Sequence, residues 1–157
     1  MTDLSATEKN SINRVVLQYI ITVVSKDFSM NDQLPKIGPH GFITQEDESI
    51  YYESYGTGET VILCHGLGGN HAIWYQQVPV LACLFNVITW DQRGFGRSTN
   101  RAKQSGPAAA VIDLKSLIDH LKVEQAHIIG QSMGGMGAEA SVHFTVSEFH
   151  VELIQNL

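Results

Sequence analysis

The sequence predicts an α/β fold in which a mostly parallel β-sheet is flanked by helices. From residue 60 onward, short apolar runs alternate with segments of helical periodicity, and each run is apolar throughout rather than at every second position. Strands of this kind are buried on both faces, as they are in parallel sheets joined by helical crossovers. The predicted strands of this part of the chain are Thr60–Cys64, Asn86–Trp90 and residues 126–129.

Three loops rich in glycine or charged residues follow these strands directly, at residues 65–69, 91–98 and 130–135. The carboxyl ends of parallel strands lie at one edge of a sheet, and binding sites of such sheets form there. We therefore expect the three loops to meet on one rim.

Length and composition indicate one ordinary globular domain. The chain has 157 residues, of which 43% are hydrophobic and 17% charged, and this balance does not favour disorder. Its net charge of −6 disfavours nucleic acid and anionic membranes as partners. We divide the chain into an N-terminal helical extension and linker at 1–40, a main domain at 41–138 and a divergent tail at 139–157.

The N-terminal extension carries an apolar run at residues 15–24, which is too short to span a bilayer and lacks a good signal-peptide cleavage site. We expect a helix there, preceded by a capping box at residues 5–8, although the many β-branched residues leave a strand open.

Cys64 and Cys83 have neither metal-binding nor disulfide-framework spacing. We expect Cys64 to be a buried free thiol, the protein to be cytoplasmic, and no cofactor to be required.

The remaining elements follow from local patterns. Residues 41–45 and 50–55 predict a hairpin with its turn at 46–48. Trp74, Val78 and Leu81 have helical spacing, but Pro79 must break or restart that helix. A further helix opens at Pro107, and its predicted apolar face consists of Val111, Leu114, Ile118 and Leu121.

The pentapeptide Gly130-Gln131-Ser132-Met133-Gly134 lies where a short apolar strand gives way to small residues. A Gly-x-Ser-x-Gly sequence between a strand and a helix is typical of a nucleophile elbow, a sharp turn that holds the serine hydroxyl clear of the sheet. The two glycines allow the strand and helix backbones to approach closely. Taken alone, the pattern also fits a glycine-rich turn between a strand and a helix that carries a solvent-exposed serine without a catalytic role.

Four spaced motifs together resemble the serine-nucleophile α/β-hydrolases, in their esterase and enol-lactone-hydrolase-like branch. They are the loop at 65–69, Trp74, the Asp-x-Arg-Gly-x-Gly-x-Ser loop at 91–98 and the elbow, and the resemblance covers residues 41–138. It implies that Ser132 attacks the acyl carbonyl of a small ester or lactone and forms an acyl-enzyme. It also implies that the backbone N–H groups of Met133 and Leu67 hold the oxyanion.

By the same resemblance, His65 is structural rather than the general base and bonds within its own loop. Asp91 is expected to fix its loop, with Arg93 as a suggested partner, and not to be the triad acid. Phe95, Trp74 and Met133 are candidates for lining the substrate pocket, and each fits ordinary packing equally well.

The resemblance ends after about residue 138, before the acid and histidine of the triad, which follow the serine in this family. The later acids are Glu139, Glu148 and Glu152, and the later histidines are His143 and His150. Both histidines are expected on or beyond the elbow helix, too far from Ser132 to act as its base. The enzyme assignment is therefore uncertain, and an inactive protein of this fold, with a binding role or none, is the alternative.

Two expectations follow for the end of the chain. The abrupt loss of resemblance favours a fragment, a truncated product or a frame-shifted continuation of a longer hydrolase, so the fold is expected to stop after the elbow helix. In the tail, residues 141–157 carry a helical stripe of apolar residues, but Val142, Phe144 and Val146 also alternate as in a strand, so both structures stay open. With no strand beyond it, Ala126–Gly130 would be an exposed apolar sheet edge, which predicts self-association.

Overall fold

A computed structural model describes residues 37–136 and the backbone of residues 150–153. The strands are β1 (Ile37–Gln45), β2 (Glu48–Tyr55), β3 (Thr60–Cys64), β4 (Asn86–Trp90), β5 (Ala126–Gly130) and β6 (His150–Leu153). The helices are a 3₁₀ turn at His71–Trp74, α1 (Gln77–Leu81), α2 (Pro107–Leu121) and α3, which begins at Met133. The predicted helix at residues 15–24 and its capping box lie outside the described residues. Within the described part, no helix is long and apolar enough to cross a membrane.

The six strands form one mixed sheet in the order β1-β2-β4-β3-β5-β6. The hairpin β1–β2 and the pair β2–β4 are antiparallel, whereas β3 is parallel to both β4 and β5. In the register of β3 and β5, Cys64 pairs with Gly130, so both strands end at the same level. The predicted parallel arrangement of the central strands is confirmed, and it brings their following loops to one rim.

The first strand is longer than predicted. It begins at Ile37, so residues 37–40 belong to β1 and not to the predicted linker. Pro39 misled the prediction because proline is rare inside sheets, but β1 is an edge strand, where proline is tolerated. The pairing register also shifts between Ile37 and His40, where such an irregularity accommodates the proline.

The sheet extends one strand beyond the elbow helix. β6 pairs in parallel with β5, with His127 opposite His150 and Gly130 opposite Leu153. The expectation that Ala126–Gly130 forms a sheet edge is therefore wrong, because this strand is covered on both sides, by β3 and β6. The tail that fitted two periodicities contains a strand at 150–153, and self-association stays a prediction.

Apolar side chains cover both faces of the sheet, as the uninterrupted apolar strands predicted. Helix α2 packs on one face through Ala110, Leu114, Leu117 and Ile118, which join a cluster that includes Ile62, Ile88 and Ile128. On the other face, the cluster comprises Val61, Leu63, Trp74, Val78, Ala82, Val87 and Ile129. Adjacent residues of one strand thus belong to opposite clusters.

The segment between β3 and β4 is split into the 3₁₀ turn and α1. Pro79 is the third residue of α1, where its missing N–H would have no helical partner in any case, and the helix ends two residues later. Trp74 is 4% exposed and packs in the core, so packing accounts for it rather than pocket lining.

Candidate active site

Ser132 occupies the turn between β5 and α3, and its backbone is left-handed. Its φ is 52°, a conformation that costs a residue with a side chain about 1–2 kcal/mol. The Gly134 N–H donates to the Gln131 carbonyl at 2.9 Å and the Met136 N–H to the Ser132 carbonyl at 3.2 Å, so α3 begins directly behind the serine. Ser132 itself is exposed. A strained, outward-facing serine at the end of a central strand is the geometry of an elbow.

The two elbow glycines are required by close backbone approach. A Cβ atom on Gly134 would lie 2.2 Å from the Cys64 carbonyl oxygen, and one on Gly130 would lie 2.5 Å from the Cα atom of Gly135. The contacts involve backbone atoms, which cannot move aside as a flexible side chain can. The elbow therefore fits against the end of β3 only because these positions carry no side chain.

The loop at 65–69 lies beside the elbow. The Gln131 N–H donates to the Cys64 carbonyl at 3.0 Å, and a Cβ atom on Gly66 would lie only 3.3 Å from the Ser132 Cβ. Among the described residues, neither the Leu67 N–H nor the Met133 N–H makes a hydrogen bond. The structure brings the two loops together as predicted, while the role of these N–H groups as oxyanion donors stays a prediction.

The peptide between Gly66 and Leu67 is held in one orientation. Its carbonyl oxygen accepts hydrogen bonds from His65 Nδ1 at 2.7 Å and from the Gly69 N–H at 3.1 Å. Because a trans peptide is planar, its N–H points away from its carbonyl. Fixing the Gly66 carbonyl therefore also fixes the direction of the Leu67 N–H.

His65 is fully buried and uses both ring nitrogens. Its Nε2 accepts a hydrogen bond from the Gln92 N–H at 2.9 Å, so the ring proton of the neutral imidazole must be on Nδ1. Burial lowers the pKa of His65, which favours this neutral form. The ring of Phe95 meets it edge-on at 5.5 Å. The expectation that His65 is structural is confirmed, and Phe95 packs against it.

Asp91 fixes the loop at 91–98, but with different partners from the one suggested. Its Oδ1 accepts from the His71 N–H at 2.6 Å and lies 2.8 Å from His71 Nδ1, while its Oδ2 accepts from the Arg97 N–H at 2.7 Å. The Ser98 hydroxyl donates to the Asp91 carbonyl at 2.6 Å. Asp91 therefore joins the segment after β3 to the loop after β4.

Arg93, the suggested partner of Asp91, instead pairs with Asp113 on α2. The two side chains form two parallel hydrogen bonds, at 3.1 Å and 2.7 Å, and both residues are buried. Burial raises the pKa of Asp113 in spite of the guanidinium beside it. The pair joins the loop at 91–98 to α2, which packs on one face of the sheet.

A further polar cluster surrounds His71, and no sequence motif pointed to it. Its Nε2 lies 3.5 Å from Glu53, which also accepts a hydrogen bond from the Tyr51 hydroxyl at 2.6 Å and one from the Tyr55 hydroxyl. Burial raises the pKa of Glu53, but the hydrogen bonds from the two tyrosine hydroxyls lower it by a larger amount together. The net shift of the pKa is therefore downward. Both nitrogens of His71 thus face carboxylates, and neither is directed to Ser132.

Comparisons with known proteins give this geometry a family. The sequence model of a protein family, described as the alpha/beta hydrolase fold, matches residues 59–140, which is more than half of the chain. The chain belongs to the α/β-hydrolase family. It is similar to a candidate carbamate hydrolase, RutD, of Azorhizobium caulinodans, with 33% identity over 90 residues that cover 57% of this chain and 34% of the relative. It is also similar to 3-oxoadipate enol-lactonase 2 of Acinetobacter baylyi, with 31% identity over 105 residues, 65% of this chain and 39% of the relative.

Solved structures of α/β-hydrolases share the fold. A thermophilic esterase from Thermogutta terrifontis aligns with a TM-score of 0.67 and 30% identity over 74% of this chain and 45% of its own. Est816, described as an N-acyl homoserine lactone degrading enzyme, aligns with a TM-score of 0.66 and 33% identity over 71% of this chain and 42% of its own. The chain spans about a third to two fifths of the length of the curated relatives cited here.

An α/β-hydrolase of the serine type needs a histidine base within hydrogen-bond distance of its nucleophile. The backbone of His150 lies at the start of β6, beside His127, whereas Ser132 lies beyond the far end of β5. At about 3.3 Å per residue, this separation is roughly 16 Å, so His150 is not that base. It lies in a strand beyond the elbow helix, and the expectation that it is too far from Ser132 to act as the base is confirmed. Glu139, His143 and Glu148 lie outside the described residues, and only the backbone of Glu152 is described.

Cys64 is not a rival nucleophile. It is 1% exposed, and the Trp90 indole N–H lies 3.4 Å from its sulfur. Burial raises the pKa of the Cys64 thiol to about 12, so almost none of the reactive thiolate is present at neutral pH. The prediction of a buried free thiol is confirmed.

Proposed function

We propose that this chain carries the nucleophile and oxyanion-binding part of a serine hydrolase site that acts on carboxylic esters or lactones. The observation that carries the proposal is the left-handed, exposed Ser132, set against Gly66 at the rim where β3 and β5 end. Left-handed backbone is costly for a residue with a side chain, and such residues are enriched at active sites. Glu46, Lys103 and Lys122 share this conformation, so it supports the proposal only together with the position of Ser132 at the end of a central strand. The close approach of Gly66, where a Cβ atom would lie 3.1 Å from the Gln131 carbonyl oxygen, sets the Leu67 loop directly beside the serine.

In this mechanism the Ser132 hydroxyl attacks the acyl carbonyl, its proton passes to a base, and the alcohol leaves as the acyl-enzyme forms. The carbonyl oxygen gains negative charge and is stabilised by the N–H groups of Leu67 and Met133. Neither N–H has an acceptor among the described residues, so both are available. The positive end of α3, which begins at Met133, favours the same charge. Water then hydrolyses the acyl-enzyme.

The substrate class rests on the relatives. A lactonase, an esterase and an enzyme that degrades acyl homoserine lactones are similar to this chain, and each of them is named for an ester or lactone bond. The described residues around Ser132 add apolar surface, since Leu67 and Met136 are exposed. Both features favour an uncharged acyl group.

A second candidate is an α/β-hydrolase-fold protein that binds but does not turn over its ligand. One observation favours it: within residues 37–136, the two buried or half-buried rim histidines, His65 and His71, are fully engaged with other groups. A nucleophile with an oxyanion hole and no base retains only a small part of the rate enhancement.

The experiment is covalent labelling of the purified chain with a fluorophosphonate probe, followed by peptide mass spectrometry. We expect modification of Ser132 and none in Ser132→Ala. The matched control is Ser105→Ala, which removes another exposed serine from a loop and should label as the natural chain does.

A second measurement tests the acyl-enzyme itself. Incubation with p-nitrophenyl acetate should add one acetyl group at Ser132 and release one equivalent of nitrophenol. Labelling at other serines, or equal labelling of Ser132→Ala, would refute the proposed nucleophile. Reversible binding of the ester with no covalent product would support the binding protein instead.

A further inference from the structure

Gln92 holds His65 at two points. Its backbone N–H donates to His65 Nε2 at 2.9 Å, and its side-chain Nε2 donates to the His65 carbonyl oxygen. Gln92 is 2% exposed and follows β4, whereas His65 follows the neighbouring strand β3. The carboxamide therefore joins the two loops beneath the rim.

The orientation of this carboxamide follows from chemistry. Turning it over would place its oxygen against the His65 carbonyl oxygen, two acceptors with no proton between them. In the orientation present, Gln92 Oε1 is buried and has no partner among the described residues. The hydrogen bond to His65 is thus the specific interaction of the side chain within the described part of the chain.

The contact reaches the oxyanion loop through a short series of bonds. The Gln92 N–H places the proton of His65 on Nδ1, and Nδ1 donates to the Gly66 carbonyl, which also accepts from the Gly69 N–H. The Gly66 carbonyl and the Leu67 N–H belong to one planar peptide. Whatever holds His65 in place therefore sets the direction in which the Leu67 N–H points.

We propose that Gln92 is a positioning residue, whose side chain holds His65 so that the Gly66–Leu67 peptide presents its N–H to the oxyanion. The proposal rests on the function proposed above, because it concerns the geometry of that same site. Gln92 occupies the unspecified position between Asp91 and Arg93 in the Asp-x-Arg pattern of the charged loop, so the loop pattern alone assigned it no role.

The test substitutes Gln92→Met, which keeps the length of the side chain and removes its hydrogen-bonding groups. In ¹⁵N-labelled protein, amide hydrogen exchange is measured at Gly69, whose N–H bond to Gly66 reports on the peptide, and at Ile50 in the core of β2. We expect exchange at Gly69 to rise about fivefold to tenfold, the effect of losing one buried hydrogen bond, with Ile50 unchanged. Gln104→Met, the same change at an exposed residue, should alter neither.

The imidazole nitrogens give a second readout. Long-range ¹H–¹⁵N correlation spectra should show His65 protonated on Nδ1 in both chains, because Gln92→Met keeps the backbone N–H that sets the tautomer. The ring ¹⁵N resonances should nevertheless shift in the variant, because the side-chain bond that holds His65 in place is lost. Unchanged Gly69 exchange and unchanged His65 ring resonances would overturn the proposal. So would an equal rise at Gly69 and Ile50, because Gln92 would then only stabilise the fold. If Gln92→Met fails to fold, Gln92→Leu removes the same donor without adding a buried charge and is judged in the same way.

A kinetic measurement separates this proposal from the function on which it rests. The rate constant for phosphonylation of Ser132 should fall about fivefold to tenfold in Gln92→Met, with the apparent affinity for the probe unchanged. If the natural chain is not labelled, the proposed function fails, while the spectra of Gly69 and His65 still decide whether Gln92 positions the peptide.

Discussion

The buried ion pair of Arg93 and Asp113 offers a quantitative test of how the rim loops are held. Both side chains are almost completely inaccessible, with exposed fractions of 4% and 0%, and their two hydrogen bonds are 3.1 Å and 2.7 Å long. Removing one partner of such a pair leaves a charge in an apolar environment and costs about 3–5 kcal/mol. That is a large part of the roughly 5–15 kcal/mol that stabilises an ordinary domain.

The two single substitutions should differ in their pH dependence. In Asp113→Leu the guanidinium stays charged at every accessible pH, so we expect the full loss of about 3–5 kcal/mol throughout. In Arg93→Met the carboxyl of Asp113 can take up a proton, because burial already raises its pKa and loss of Arg93 raises it further. A group with a raised folded pKa contributes stability below its unfolded value, 3.8, and this is lost as the pH rises. Arg93→Met should therefore be closer to the natural chain at pH 4 than at pH 8.

The assay is a double-mutant cycle by urea denaturation at both pH values. The double variant Arg93→Met/Asp113→Leu replaces the pair by apolar side chains of similar volume, and its loss should be smaller than the sum of the single losses by several kcal/mol. Single losses below about 1 kcal/mol, or simple additivity, would refute the view that the pair is buried and coupled.

Two further changes test the packing of the elbow and the hairpin. Gly134→Ala places a methyl group 2.2 Å from the Cys64 carbonyl, so we expect a loss of at least about 3 kcal/mol in urea unfolding, and a loss below 1 kcal/mol would contradict the close approach. Hydrogen bonds from Ala102 and Thr99 lower the pKa of Glu48 from 4.5 to about 2. A group with a lowered pKa contributes stability above its unfolded pKa, and this stability is lost as the pH falls through its folded pKa. The urea concentration at half-unfolding should therefore be lower at pH 2 than at pH 5. Glu48→Gln should drop less, and an equal drop would exclude Glu48 as a cause.

Local patterns predicted the centre of this sheet because there the local and the tertiary preferences agree. Thr60–Cys64 and Asn86–Trp90 are strands with the predicted bounds, since continuous apolar runs suit only strands that are covered on both faces. The helix α2 begins at Pro107 as expected, because proline lacks only an N–H that the first turn does not use.

The features that escaped prediction depend on distant partners. β6 could not be identified because residues 141–157 carry a helical pattern and the strand-like alternation lies earlier, at residues 142–146. Pairing with β5 is what places a strand at residues 150–153. The partner of Arg93 lies one element away on α2, and that of Asp91 lies in the 3₁₀ turn. Such choices of partner are set by the packing of loops and helices, on which a single sequence carries little information. The position of Ser132 could be predicted because the glycines beside it mark the turn. A Cβ atom at Gly130 or Gly134 would lie within 2.5 Å of backbone atoms, so other residues do not fit at these two positions.

The sheet order also governs how this chain can fold while it is being synthesised. β3 is made early, yet one of its neighbours is β5, which leaves the ribosome only after β4 and α2. At a synthesis rate of about 5–20 residues per second, the edge of β3 that will receive β5 stays unpaired for roughly 3–13 s. Its sequence, Thr-Val-Ile-Leu-Cys, has no charge to discourage pairing with other chains. We therefore expect the strand that later lies against the Ser132 turn to stay open to pairing with other chains until β5 has been made.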